Sequence, residues 1–337
     1  MPSVYIQTPG FRVGLKSEKL RVESPDTGDP DLPPIVKEVL LSDVEQVIAS
    51  EHVHFSLPAI AECMRRNIPF ILTGSGERIL GVCRPPSPNH KARLSQYQRF
   101  LEPAFALALA INWVEAKILN SRRVLQRLAA NRDAIEITRE LLNLGELAKK
   151  CTSVTNPDSL RGIEGAAAGK YFELYGSFYP ESCPFERRSR RPPHNAPNAI
   201  LSYAYTLLAA EAECALHAIA LDPAIGFYHE PDDNRAALAL DMIEPFRAPL
   251  ADAMAIDLMS HATLHPKNHF ENREGGVYMN NDGKKRFFVA YEKRMEREFT
   301  SEQTGIRTSI RGELRRQAMA LKKAIVSGDP FEPFLMN

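Results

Sequence analysis

Along the first 88 residues the apolar positions come in short runs bounded by turn residues, which predicts strands. Residues 4–7 and 11–15 flank the turn Thr8-Pro9-Gly10. Residues 20–22 follow the polar stretch 16–19, and 39–41 and 44–48 continue the series. Ser56-Leu57-Pro58 supplies an N-cap and an early-turn proline for a helix ending near Asn67. Residues 69–73 and 79–83, on either side of Gly74-Ser75-Gly76, predict a hairpin.

After the run from Pro85 to His90 the apolar period changes from two to about 3.6. Helices are expected over 94–131 with a break near Pro103, over 134–150, 198–221 and 235–261, and over about 306–325. Within this region residues 277–279 and 287–289, around Asn281-Asp282-Gly283, carry a hairpin signal. The expected class is therefore α+β in two domains. Residues 1–88 form a β-strand-rich domain and 89–337 a larger, mainly α-helical one.

The 337 residues are 44% hydrophobic and 25% charged, which excludes gross disorder and collagen-like structure. No uninterrupted apolar run reaches the roughly 18 residues of a membrane span. The start of the chain lacks a secretory signal, so a cytoplasmic protein is the default. Five scattered cysteines without Cys-x-x-Cys fit reduced thiols rather than disulfides or thiolate zinc. The formal charge is zero, yet residues 91–132 hold eight basic against two acidic residues, and 284–323 hold twelve against five. Those segments are either solvated helix faces or tracks for phosphates.

Three segments concentrate acid, imidazole and unusual backbone. In Leu160-Arg161-Gly162-Ile163-Glu164-Gly165-Ala166-Ala167-Ala168-Gly169 a single carboxylate stands among small residues. That pattern suits either close approach of a ligand or plain helix packing with an exposed Glu. His229 ends the loop Pro223-Ala224-Ile225-Gly226-Phe227-Tyr228. Asp241 and Glu244, three apart on a helix, share a face, and Pro245 cannot donate to the carbonyl of Asp241. Two or three carboxylates with one imidazole and no thiolate match Mg²⁺ or Mn²⁺ better than structural zinc, and such an ion suits phosphodiester chemistry. Arg235 and Arg247 lie near the same helix, and Arg187-Arg188-Ser189-Arg190-Arg191 forms a cluster; all are candidate DNA contacts. His261, His265 and His269 read as loop and surface residues, because Pro266 interrupts the spacing a zinc helix needs.

In four ordered blocks the chain resembles the CRISPR-associated adaptation integrases, endonuclease-like proteins that insert new spacers into CRISPR arrays in antiviral defence. The blocks are residues 160–165, Pro192-Pro193 with 198–205, residues 223–229 and residues 241–247. The resemblance implies that the family's metal-binding glutamate, histidine and third acidic ligand fall on Glu164, His229 and Glu244, with Asp241 as a supporting acid. It also implies an N-terminal β domain that forms homodimers, two of which flank a dimer of a small ferredoxin-like adaptation partner. The implied reaction is attack by the 3′-hydroxyl of a short DNA duplex on a phosphodiester at the edge of a CRISPR repeat.

Two other readings remain at this point. A non-catalytic DNA-binding scaffold would have no chemical need for Glu164, His229 and Glu244 together. A general repair nuclease would cut linear DNA without an adaptation partner. No dinucleotide fingerprint, P-loop or nucleophile elbow supports a small-molecule enzyme. The tail Asp329-Pro330-Phe331-Glu332-Pro333-Phe334, with an aromatic residue after each proline, suits either a disordered end or a segment docking on a partner.

Overall fold

The computed structural model describes residues 3–26, 33–74, 79–83, 85, 90–130, 136–233 and 235–336. The chain divides into two compact units, Met1–Pro86 and Ser87–Asn337. The Gly-Ser-Gly turn beyond Gly74 and most of the proline-rich junction at 85–90 lie outside the described residues.

The first unit contains two four-stranded sheets. One has the order β1-β5-β7-β8, formed by Val4–Ile6, Val47–Ser50, Phe70–Thr73 and Ile79–Cys83. Its first three strands are parallel, and β8 returns antiparallel to β7 as the hairpin pattern predicted. The other has the order β4-β3-β2-β6, from Val36–Leu40, Lys19–Glu23, Arg12–Lys16 and His54–Phe55. Pro9-Gly10 therefore joins two sheets and does not close a hairpin, since β1 and β2 never pair. Gly10 takes φ +81°, a conformation that costs glycine little. Helix α1 (Leu57–Arg65) starts where Ser56 accepts a hydrogen bond from the backbone N–H of Ala59, and turns Ala59 and Cys63 inward. They join Ile6, Val13, Leu20, Leu41, Val47 and Phe70 in one core.

The second unit is built around α3 (Pro103–Ala129), which follows α2 (His90–Phe100) after the expected break. Helices α4 (Thr138–Cys151), α5 (Pro157–Gly176) and α7 (Ala237–Phe246) pack against α3. The side chains of Asn156 and Asn195 cap α5 and α6 (Ala196–Ala218). By length and composition α6 could cross a membrane, but 67% of its apolar window is buried inside this unit, as in a core helix. Past α7 the backbone widens into a π-helical stretch, Arg247–Asp252, before α8 (Ala253–Ser260).

The predicted hairpin at 277–289 is a correction. Residues 287–289 belong to α10 (Asn281–Met295), because the side chain of Asn280 accepts from the backbone N–H of Gly283 and caps a helix there. A short turn, α9 (Pro266–His269), precedes β9 (Phe270–Arg273), which is the strand that pairs with β10 (Gly276–Met279). Strands β11 (Glu298–Thr300) and β12 (Arg307–Ser309) form another ribbon, so the closing helix α11 spans Ile310–Ser327 and not 306–325. All five cysteines are free thiols.

Candidate metal and DNA-processing site

Three segments far apart in sequence meet beside α3. Asn156 and Pro157 start α5, which places Glu164 in its second turn. A Cβ added at Gly162, Gly165 or Gly169 would meet nothing within 4 Å, so the helix surface around the carboxylate is open. One Glu164 oxygen accepts from the Tyr228 hydroxyl and the other from the Lys117 ammonium.

Residues 227–229 of the loop before α7 are held by the carboxylate of Asp241 on α7, which is fully buried. Its Oδ2 accepts from the backbone N–H groups of Phe227 (2.7 Å) and Tyr228 (3.0 Å). Its Oδ1 accepts from the N–H of His229 (2.8 Å) and lies 2.6 Å from His229 Nδ1. A carboxylate there favours the tautomer with the proton on Nδ1, which leaves the Nε2 lone pair facing Glu244 Oε1 at 3.7 Å. Glycine is required at 226, where a Cβ would lie 2.8 Å from the carbonyl oxygen of His229.

Glu244, one turn beyond Asp241, is 1% exposed. Arg247 approaches its Oε1 at 3.0 Å and Lys117 its Oε2 at 2.7 Å. The Lys117 ammonium thus bridges the two glutamates, touching Glu164 as well as Glu244 Oε2. Burial alone would raise the Glu244 pKa; Arg247, Lys117 and His229 outweigh it and hold the carboxyl well below the usual carboxylate range. The Tyr228 phenol is pushed up by burial and by Glu164, so it stays protonated and donates.

Behind these residues lies a second buried carboxylate, Asp252, at the end of the π-helical stretch. It accepts from Tyr171 (2.8 Å) and in a short contact near 2.5 Å from Tyr205, whose ring carries the guanidinium of Arg247 5.0 Å above its centre. Burial raises Asp252 to about 6 despite the two phenols. The folded protein thus holds this proton up to about pH 6, whereas the unfolded carboxyl releases it near 3.8. The resulting stability is present at low pH and lost as pH rises through 6. Asp252→Asn is therefore expected to gain about 3 kcal/mol relative to wild type between pH 3.5 and pH 7.5. Urea titrations of both proteins across that range test this; a constant difference would refute it.

A family model described as CRISPR associated protein Cas1 matches residues 4–293. The chain belongs to the Cas1 family. A CRISPR-associated endonuclease Cas1 of Thermus thermophilus is 34% identical over 307 residues, covering 89% of this chain and 90% of that protein. A Cas4/Cas1 exonuclease–endonuclease fusion of Geobacter sulfurreducens is 32% identical over 98% of this chain, which spans 58% of the fusion's length. In fold the chain matches a solved casposase bound to integration product, with TM-score 0.87 and 22% identity over 99% of this chain and 93% of that one. The expected mixed architecture, strands first and helices after, is that of solved Cas1 proteins.

In this Cas1 chain Glu164, His229, Asp241, Glu244 and Arg247 come together. Arg187, Arg190, Arg191 and Arg235 remain exposed. Arg188 turns inward, donating to Asn198 Oδ1 (2.8 Å) and Ser202 (3.1 Å). Among the described residues no three His, Cys, Asp or Glu side chains converge in the arrangement of a bound metal, because Lys117 stands between the two glutamates. His261 and His265 are exposed as expected, but His269 is buried at the end of α9, where it accepts from the backbone N–H of His265 and lies 3.2 Å from Asp282, so it is a packed residue and not a surface one.

Sequence reasoning missed Lys117 and Tyr228. Lys117 lies on the face of α3 that carries Trp113, Asn120 and Val124, all buried. A lone charge at a core-facing helical position needs a partner, and that was the available signal.

Proposed function

We propose that this chain is the metal-dependent integrase of a CRISPR adaptation system, joining a DNA 3′-hydroxyl to a phosphodiester. The observation that carries the reading is that Glu164 on α5 and Glu244 on α7 meet on one Lys117 ammonium while His229, fixed by Asp241, faces Glu244. Two carboxylates and an imidazole are donors a hard divalent ion takes, and the two glutamates already share one cation, the Lys117 ammonium. Glu164, His229 and Glu244 would hold Mg²⁺ or Mn²⁺. Once bound, the ion would polarise the phosphoryl oxygen and lower the pKa of the attacking hydroxyl.

The remaining chemistry belongs to the chain. Tyr228 keeps one Glu164 oxygen oriented, Asp241 keeps the imidazole from rotating, and Arg247 neutralises Glu244 at the same Oε1 that His229 faces. In the reaction the 3′-oxygen bonds to phosphorus as the bond to the departing 3′-oxygen breaks. The proton leaves the attacking hydroxyl and the departing oxygen takes one up. Bond types are conserved, so no energy source is required. With water as nucleophile the same site nicks DNA, an endonuclease reaction.

The substrates in this reading are a short duplex and a CRISPR repeat. Exposed Arg187, Arg190, Arg191 and Arg235 track phosphates, while Arg188 and Arg247 act from within the fold. The first unit supplies a homodimer contact, supported by the exposed apolar residues Ile35, Val36 and Leu40 at its β4 edge. The small ferredoxin-like adaptation partner completes the assembly.

Strand transfer on branched DNA with Mn²⁺ or Mg²⁺ tests the reading, with wild type beside Glu164→Ala, His229→Ala and Glu244→Ala. Joined product from wild type, lost in all three variants while DNA binding persists, is the expected result. Activity surviving the three substitutions would place the site elsewhere. Binding without joining in any metal, even with the partner, would make the chain a scaffold.

A further inference from the structure

The last described residues have no secondary structure of their own, yet four side-chain amides are aimed at their backbone. Asn112 donates to the carbonyl of Phe331 (2.9 Å), Gln317 to Glu332 (3.2 Å), Gln303 to Pro333 (2.9 Å) and Asn120 to Phe334 (2.9 Å). Asn120 also accepts from the N–H of Met336 at 2.8 Å. Phe331 packs edge-on against Trp113, and Phe334 stacks on Phe246 with ring centroids 4.7 Å apart and planes 13° from parallel. Both phenylalanines are buried. The proline-flanked aromatic residues that looked like a docking peptide are docked on this chain's own helical unit.

Asn120 makes this more than closure of a surface. It is 1% exposed, and the same Nδ2 that holds Phe334 donates to the carbonyl of Pro245 at 2.7 Å. Pro245 and Phe246 are the two residues that follow Glu244, at the point where α7 widens into the π-helical stretch. The segment therefore grips both of them, one through a bridging amide and one through ring stacking. Lys117, one turn before Asn120 on α3, touches the Glu244 carboxylate itself.

We propose that residues 334–336 are a positioning strap for Glu244, fixing the turn that aims its carboxylate at His229 and Lys117. The strap touches no reacting group, so it acts through the accuracy of the site, and the proposal rests on the metal reading above. Partners that orient a metal ligand typically contribute 10- to 100-fold in metal affinity.

The test is Mn²⁺ affinity of the full chain by calorimetry, with thermal midpoints measured alongside. Phe334→Ala is compared with Phe331→Ala, which removes a similar buried ring from the same segment but one that packs on Trp113, away from Glu244. Phe334→Ala is expected to weaken Mn²⁺ binding on the order of 10-fold. Phe331→Ala is expected to lower the thermal midpoint with affinity within about twofold of wild type, and Phe334→Tyr, which keeps the stack, restores affinity. Equal weakening by the two alanine variants, or unchanged affinity in Phe334→Ala, would reduce the segment to a structural role and overturn the proposal. Where Phe334→Ala does not fold, Phe334→Leu against Phe331→Leu gives the same contrast. No Mn²⁺ binding by wild type would overturn the metal reading and the strap with it, an outcome distinct from any difference between variants.

Discussion

Arg311→Met is expected to cost the helical unit about 3–5 kcal/mol, enough to unfold it at moderate temperature. Arg311 lies near the start of α11 and is 3% exposed. Its Nε and Nη2 grip the two oxygens of Glu211 on α6 at 2.8 and 2.9 Å, and its Nη1 reaches Glu292 (2.7 Å) and Glu296 on α10. Three helices are thus tied to one guanidinium. Burial alone would lower the Arg311 pKa; the surrounding glutamates outweigh it and hold the group firmly charged. Methionine fills much of the same space but leaves Glu211, equally buried, as an uncompensated charge. Adding Glu211→Gln to Arg311→Met should recover part of the loss, because the stranded carboxylate is then neutral. Urea unfolding followed by circular dichroism measures both variants. A single variant within about 1 kcal/mol of wild type would mean that water reaches this cluster.

The second large effect concerns activity. Asp241→Ala should reduce strand transfer on the order of 10- to 100-fold or more, although Asp241 itself would touch neither DNA nor metal. The substitution strands three backbone N–H groups, those of Phe227, Tyr228 and His229, and releases the imidazole. Each unsatisfied buried group costs about 1–3 kcal/mol, so the loop gives up its conformation to recover hydrogen bonds from water. Tyr228 is then freed from Glu164, and two of the three proposed ligands lose their support. Asp241→Asn should be nearly as damaging, since its amide places N–H against donors that need an acceptor. Rates close to wild type in both variants, measured at saturating Mn²⁺, would show that His229 is held by something else.

The elements that the sequence specified well are those whose signals are local. Ser56-Leu57-Pro58 marks a helix start by capping, and α1 begins there; Asn156-Pro157 and Asn195 carry the same signal for α5 and α6, where the expected start at 198 fell two residues late. The same reasoning misfired at 277–289. Asn-Asp-Gly serves a turn between strands, but Asn280 just before it makes an equally good N-cap, and Phe287 and Phe288 needed a core that a helix face supplies. Strand β9 escaped notice because Glu271, Asn272 and Arg273 are all exposed and carry no alternating pattern. The separation of β1 from β2 into different sheets was equally hidden, since pairing is decided by partners 40 residues away, such as Val47 opposite Val4.

At the candidate site, the helical spacing of Asp241 and Glu244 was legible, and resemblance brought in Glu164 and His229. Lys117 and Tyr228 were not found, because their roles depend on contacts 47 and 64 residues away that no local pattern encodes. Asn120 and the C-terminal segment are further cases. An asparagine in a long apolar helix is a visible oddity, but only the fold shows that it faces a proline carbonyl and the chain's own end.

The π-helical stretch at Arg247–Asp252 makes this part of the chain sensitive to length as well as to composition. A wide turn accommodates one residue more than an α-helical turn of the same rise, so removing a single residue there would let the backbone relax into ordinary α-helix. Each residue of such a helix accounts for about 100° of rotation, and everything downstream would swing by that angle relative to Glu244. Asp252 would leave Tyr171 and Tyr205, and α8 would present a different side to the core. The residue count of this stretch is therefore as constrained as Arg247 and Asp252 at its two ends. Alignment gaps within it would mark proteins that have rebuilt the wall behind Glu244.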